Sequence, residues 1–147
     1  TVALGIAQGA YESALSYALD RKQFGRPIAE FQGLQWMMAD MSIGLEASRA
    51  LLHNAAKGAG NSFPDMEAAA KAKVLASETA IKVTNDALQI HGSMGYSRCL
   101  DLERHVRDAR MFTIAGGTAQ ILRTQIASKI LGIRIPQKRD GYLRHNS

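Results

Sequence analysis

Three corners of this 147-residue chain hold side chains whose types and spacing could do chemistry. The first is Gly116-Gly117-Thr118-Ala119-Gln120, where a charged segment beginning at Arg107 stops at a glycine pair and a helix restarts. Thr118 can cap that helix by accepting from the backbone N–H of Gln120 or Ile121. The glycines admit positive φ and let another molecule approach the backbone. A helix N-terminus beside them favours polar or anionic ligand groups. The second corner is Asp20-Arg21-Lys22-Gln23-Phe24-Gly25-Arg26-Pro27. Arg21 offers a bidentate fork to phosphate, while a basic helix C-terminus accounts for the same run through the helix dipole. The third, Gln89-Ile90-His91-Gly92-Ser93-Met94-Gly95, reads as a glycine C-cap and turn, or as backbone close to a ligand with Gln89 supplying an amide.

Several chemistries are excluded. His91 has no carboxylate or nucleophile at a motif spacing, so a structural or solvent-facing role outweighs general-base work. His53, His105 and His145 form no metal-ligand pattern. No Walker A motif, dinucleotide fingerprint, HExxH or nucleophile elbow is present. The lone Cys99 rules out an internal disulfide framework or a cysteine-based zinc site, and fits a reducing compartment. The net charge of +5 is spread over two mild clusters. One is Arg98, Arg104, Arg107 and Arg110; the other is Arg134, Lys138, Arg139 and Arg144. Nucleic-acid binding would need stacking aromatics between such cations, so a solvated face or contacts to a small ligand's phosphates suit them better. Glu103–Arg107 and Arg104–Asp108 are expected as i,i+4 pairs on that face. No segment approaches the ~20 apolar residues that span a bilayer, and no secretory signal pattern stands at the start.

The elements that must position these corners read as helices. Residues 1–22 carry Ala3, Ile6, Ala7, Ala10, Ala14, Tyr17 and Ala18 on one stripe, with Gly25 as a C′ candidate and Pro27 as a breaker. Residues 31–58 bury Leu34, Met38, Met41, Leu45 and Leu52. Ser62-x-x-Asp65 resembles a capping box opening a third helix to about residue 90, with Met66, Ala70, Val74, Ser77, Ile81 and Leu88 inward. A short charged helix covers about 99–112. The last runs from Thr118 to about Leu131 with Leu122, Ile126 and Ile130 inward, ended by Gly132 and Pro136. No strand period is evident. The expected fold is all-α: an antiparallel four-helix bundle with one extra short helix, over residues 1–134, followed by a polar tail, 135–147, ordered only by a neighbour. A start inside a helix, without methionine, reads as a piece of a longer protein.

Taken in order, these stretches resemble the C-terminal domain of the acyl-CoA dehydrogenase family, from the first helix through about Gly132. The carrying residues are Tyr17 to Gly25, Phe31-Gln32, Ala39-Asp40-Met41, Asp86 to Tyr96, Arg107-Asp108-Ala109 and Gly117 to Ile121. The resemblance implies a flavoprotein that removes α and β hydrogens from an acyl-CoA, with FAD as cofactor and electron-transfer flavoprotein as electron acceptor. It implies a homotetramer, or a dimer, in the full-length protein, without nucleic acid or membrane insertion, and a cytoplasmic or mitochondrial-matrix location. Carried over by position, Arg21, Gln23, Phe24 and Gln32 cradle the FAD of a neighbouring subunit. Gln89, Ile90, His91, Gly92 and Ser93 lie along the FAD diphosphate and adenosine side. Thr118 and Gln120 touch the FAD of their own subunit, and Gly117 lies near the thioester. The catalytic glutamate of many members falls at Gly116, which has no proton acceptor. Other members place that glutamate on the first bundle helix, at a position corresponding to just before Thr1; Glu12 does not match it. No metal ligand is implied. A non-catalytic subunit and a ligand-free helical interaction domain stay open as alternatives.

Overall fold

The structure, a computed structural model, describes residues 1–58 and 63–135. The expected polar tail from residue 136 onward, with Pro136 and Ser62, lies outside the described residues. The fold is all-α apart from one minimal hairpin. It comprises α1 (Val2–Asp20), β1 (Lys22–Gln23), β2 (Arg26–Pro27), a 3-10 turn (Ile28–Glu30), α2 (Gln32–Lys57), α3 (Met66–His91), α4 (Ser93–Tyr96), α5 (Leu102–Met111) and α6 (Ala119–Leu131). Helix α3 is the hub, packing against α1, α2, α5 and α6. The eight residues 58–65 joining α2 to α3 reach at most about 28 Å extended. A 26-residue helix is about 39 Å long, so the two pack side by side only as antiparallel neighbours.

Burial explains the composition of α1. Ala7, Ala10, Ala14 and Ala18 are fully buried at spacings of three, four and four, one continuous stripe. They meet Ala80, Val83 and Ala87 of α3 in one core with Met41 and Leu45 of α2. Small side chains on the facing stripes let the backbones approach closely. Ser48 Oγ donates to Thr79 Oγ1 across the α2–α3 seam at 3.0 Å, so two buried hydroxyls are satisfied where one alone would be costly.

Helix ends depart from the sequence expectations in specific ways. α1 stops at Asp20, and Gly25 is not its C′ residue. Phe24 and Gly25, with φ of 52° and 79°, are the loop of a two-residue hairpin with register Lys22↔Pro27 and Gln23↔Arg26. Positive φ at both loop positions is what a type I′ connection needs, and strands this short leave no alternation to read. Asp65 itself caps α3, accepting from Ala68 N at 3.0 Å, so it is the cap rather than the third residue of a capping box. Met66 therefore opens the helix and is 59% exposed instead of inward. On α6, Ile130 is also exposed, because that helix packs chiefly on α3 and leaves its far side open. Gly132, in the left-handed region at φ 65°, ends α6 as expected.

Candidate cofactor-binding clefts

The first cleft, about 450 Å³, lies where α1 ends beside the end of α3. Arg21 leaves α1 in extended conformation, its N–H bonded to Tyr17 O and its carbonyl accepting from Ile28 N at 2.8 Å. The backbone is pinned on both sides while the guanidinium stays exposed. It makes no ion pair among the described residues. Across the cleft Gly92 ends α3 at φ 59°, ψ −134°, a conformation only glycine adopts readily. A Cβ there would meet nothing within 4 Å, so the backbone is open to a ligand.

His91 forms the back wall. It is buried, its ring stacked on Tyr17 with centroids 4.3 Å apart. Its Nδ1 lies 2.8 Å from the Ala87 carbonyl, and Nε2 3.2 Å from Ser13 Oγ. A carbonyl only accepts, so Nδ1 carries the proton and Nε2 accepts from the serine. This is the structural role that the sequence favours: the side chain wedges the corner and is committed to both partners. Behind it Gly95 is required, since a Cβ would stand 2.7 Å from Leu88 O and 2.9 Å from His91 Cβ.

The structure thus brings Arg21, Gln23, Ile90, His91, Gly92 and Ser93 around one cleft. Phe24, Gln32 and Gln89 lie outside its lining. Phe24 is almost fully exposed and meets Phe31 edge-on at 6.2 Å, with the Arg26 guanidinium 4.5 Å over the Phe31 ring. A free guanidinium, an amide, a hydroxyl and open glycine backbone form a donor set that fits the diphosphate of a dinucleotide.

The second cleft, about 200 Å³, joins Thr118 and Gln120 to Glu78, Arg110 and Thr113. Thr118 Oγ1 accepts from Ile121 N at 3.2 Å, the expected cap. Arg123 donates to Glu78 at 2.7 Å and ties α6 to α3. That bond holds the Glu78 carboxyl below its usual value, against desolvation, which works the other way. Arg110 Nη1 donates to Thr113 Oγ1. On α5 the Glu103–Arg107 pair forms at 2.9 Å, but Arg104 pairs with Asp101, 3.2 Å away, in place of Asp108. Asp101 lies just outside the helix start, near enough in space to compete.

Gly116 and Gly117 turn between these elements at φ 67° and 94°. Gly116 lines a third, largely apolar cleft of about 420 Å³ with Lys73, Leu122 and Gln125. Lys73 Nζ donates to the Gly117 carbonyl across 44 residues of sequence. Sequence reasoning passed over Lys73 and Glu78, and read Arg110 only as one member of a basic cluster. The only signal for Lys73 was a charge set between Ala72 and Val74, two buried positions. Among the described residues no group of three or more His, Cys, Asp or Glu could hold a metal ion, and no helix is long and apolar enough to cross a membrane.

Comparison with known proteins places these clefts in context. The model of the acyl-CoA dehydrogenase C-terminal domain matches residues 1–131. The 3-sulfinopropanoyl-CoA desulfinase of Cupriavidus necator is 70% identical over 143 residues, covering 97% of this chain and 36% of that protein. The butyryl-CoA dehydrogenase structure from Megasphaera elsdenii matches with TM-score 0.85 and 39% identity, over 88% of this chain and 34% of that one. An FAD complex of PigA matches with TM-score 0.84 and 31% identity, over 90% and 34%. The chain spans about a third of the length of the curated relatives it matches.

Proposed function

Because the chain belongs to the acyl-CoA dehydrogenase family, as its C-terminal helical domain, we propose that the protein carrying it is a flavoprotein that desulfinates 3-sulfinopropanoyl-CoA. The weight of this reading rests on the 70% identity to a 3-sulfinopropanoyl-CoA desulfinase. Gly116 agrees with it, since the position that holds a glutamate base in many dehydrogenases has no side chain here, a gap shared with members whose base sits on the first helix. Desulfination needs no proton taken from Cα. The C3–S bond breaks with its electron pair left on carbon and a proton fills C3. The departing sulfur dioxide takes up water to become sulfite, so no electrons remain for an acceptor.

FAD is the cofactor of this family, and bound FAD supplies hydride-accepting chemistry together with a planar face for the acyl group. Arg21, Gln23, Gly92 and Ser93 hold the diphosphate and adenosine side of a neighbouring subunit's FAD, with Phe24, Gln32, Gln89, Ile90 and His91 framing it. Thr118 and Gln120 hold the FAD of their own subunit, and Gly117 lies against the thioester. The assembly is a homotetramer or a dimer. Dehydrogenation of a simple acyl-CoA, with electron-transfer flavoprotein as acceptor, is the second reading. The likeness to butyryl-CoA dehydrogenase favours it.

The test is the full-length protein with 3-sulfinopropanoyl-CoA, measuring sulfite released, beside butyryl-CoA with an artificial electron acceptor. Sulfite without dye reduction is expected. Dye reduction with butyryl-CoA and no sulfite would overturn desulfination.

A further inference from the structure

Lys73 is the sole ionisable side chain among the described residues lining two adjoining clefts. One is the cleft of about 420 Å³ that also holds Gly116. The other, about 380 Å³, is walled by the start of α1, by Ala55 and Ala56 of α2, and by Phe112. Among the described residues no carboxylate lines either cleft. The nearest acids in its own helix are engaged elsewhere: Glu67 with Lys71 and Glu78 with Arg123. The hydrogen bond the amine does make is to the carbonyl of Gly117. A single long side chain from the hub helix thus ends on a turn built from two positive-φ glycines. Glycine turns are entropically loose, and the other ties on this one sit at its edges. They are Ala115 N to Met111 O at 2.8 Å before it, Ala119 N to Thr113 O at 3.0 Å across it, and the Thr118 cap with Leu122 N to Thr118 O after it. Among the described residues the Gly117 carbonyl itself is held by Lys73.

We propose that Lys73 is a positioning residue: its ammonium clamps the Gly117 carbonyl and so fixes the Gly116–Gly117 turn against which the CoA thioester lies. The placement of the thioester rests on the function proposed above; the clamp itself does not. A clamp aimed at a carbonyl must donate, and an ammonium donates more strongly than a neutral group. Desolvation between the apolar walls pushes the Lys73 amine below the ordinary lysine value. The clamp therefore weakens on the alkaline side, as the amine loses its proton below the usual lysine range.

The experiment uses the full-length flavoprotein with Lys73→Met, which keeps the length and removes the donor, and Lys73→Arg. Amide hydrogen exchange is followed across residues 115–119, and kcat and KM are measured with 3-sulfinopropanoyl-CoA across pH. Lys73→Met should speed exchange in that turn at least tenfold while α3 and α6 keep their protection. It should lower kcat at least tenfold with a smaller change in KM, and abolish the alkaline limb of the profile. Lys73→Arg, which can still donate, should restore most of both. Wild-type exchange in the methionine variant would overturn the clamp, whatever the substrate proves to be. A rise in KM confined to acidic acyl groups, with turn exchange unchanged, would also overturn it and make Lys73 an anion receptor instead. If the wild-type protein turns over no CoA thioester, the functional reading fails while the exchange result still decides the clamp.

Discussion

At the scale of single residues, absence of a side chain is as informative as presence. Gly116 has φ 67°, and a Cβ built there meets nothing within 4 Å. A glutamate would therefore fit, at a backbone cost of about 1–3 kcal/mol for leaving glycine in the left-handed region. Under the function proposed above, Gly116→Glu in the full-length protein would put a carboxylate beside the thioester and an anionic sulfinate. Like charges so close disfavour binding, so sulfite release should fall at least tenfold. The same variant should gain exchange of Cα hydrogens of butyryl-CoA with solvent deuterium, since a placed general base contributes roughly 10²–10⁴-fold. Loss of sulfite release without any gain in exchange would mean that the site does not hold the thioester there. Arg21 gives a simpler expectation. Its guanidinium is exposed and unpaired among the described residues, so Arg21→Ala removes a ligand contact and leaves the fold intact. Losing a charge-assisted bond should weaken FAD binding by about 1.5–3 kcal/mol, read as faster flavin release on dilution. Unchanged release would remove Arg21 from the cradle.

At the scale of elements, one ion pair among the described residues, Arg123–Glu78, crosses the α3–α6 seam beside its packing contacts. Arg123 keeps the Glu78 carboxyl below its unfolded value. A carboxyl depressed in this way contributes stability above its unfolded pKa, and that contribution is lost as pH falls through the folded one. Amide protection of α6 in the full-length protein should therefore decline below about pH 4.5, the ordinary glutamate range. Glu78→Gln should remove that pH dependence and lower protection at neutral pH; a variant with the parent's acid profile would show that the pair does not hold α6. This seam also marks the limit of what the sequence reveals. Helical periodicity announced α1, α2 and α3, because Ala7, Ala10, Ala14, Met41, Leu45, Ala70, Val74 and Ser77 are buried at helical spacing. It failed at Met66 and Ile130, where a helix end or an unpacked face leaves apolar side chains exposed. It could not register the hairpin at Phe24-Gly25, whose strands are two residues long. The corners of the first cleft were legible as motifs. Their convergence was not, since Arg21 and Gly92 meet only through the packing of α1 on α3. Lys73 and Glu78 act on partners 44 and 45 residues away, distances that no local pattern encodes.

At the scale of the whole molecule, the chain holds two clefts that share no lining residue, one with Arg21, Gln23 and Gly92, the other with Thr118 and Gln120. Under the function proposed above they belong to two different FAD molecules, one of them bound mainly by a neighbouring subunit. Its surface is suited to a neighbour. Leu19, Trp36, Ile43, Ile130 and Leu131 are each more than 60% exposed, more apolar surface than a lone domain usually leaves to water. Complementation between subunits tests this arrangement. One full-length variant carries Arg21→Ala, and a second carries Thr118→Ala with Gln120→Ala. Each alone builds oligomers in which every site has one damaged wall, so each should lose flavin on dilution. Co-expressed, the two form mixed pairs in which one site collects both defects and the other collects none. Under random pairing of twofold-related subunits, roughly a quarter of all sites should regain parental affinity. On mixed pairs isolated through two different tags, the flavin-retaining fraction should rise to about one half of the sites. If both sets of residues served the same subunit's FAD, every site in a mixed pair would keep one defect and no high-affinity fraction would return. That outcome would refute the cross-subunit assignment of Arg21 while leaving the fold and the family untouched.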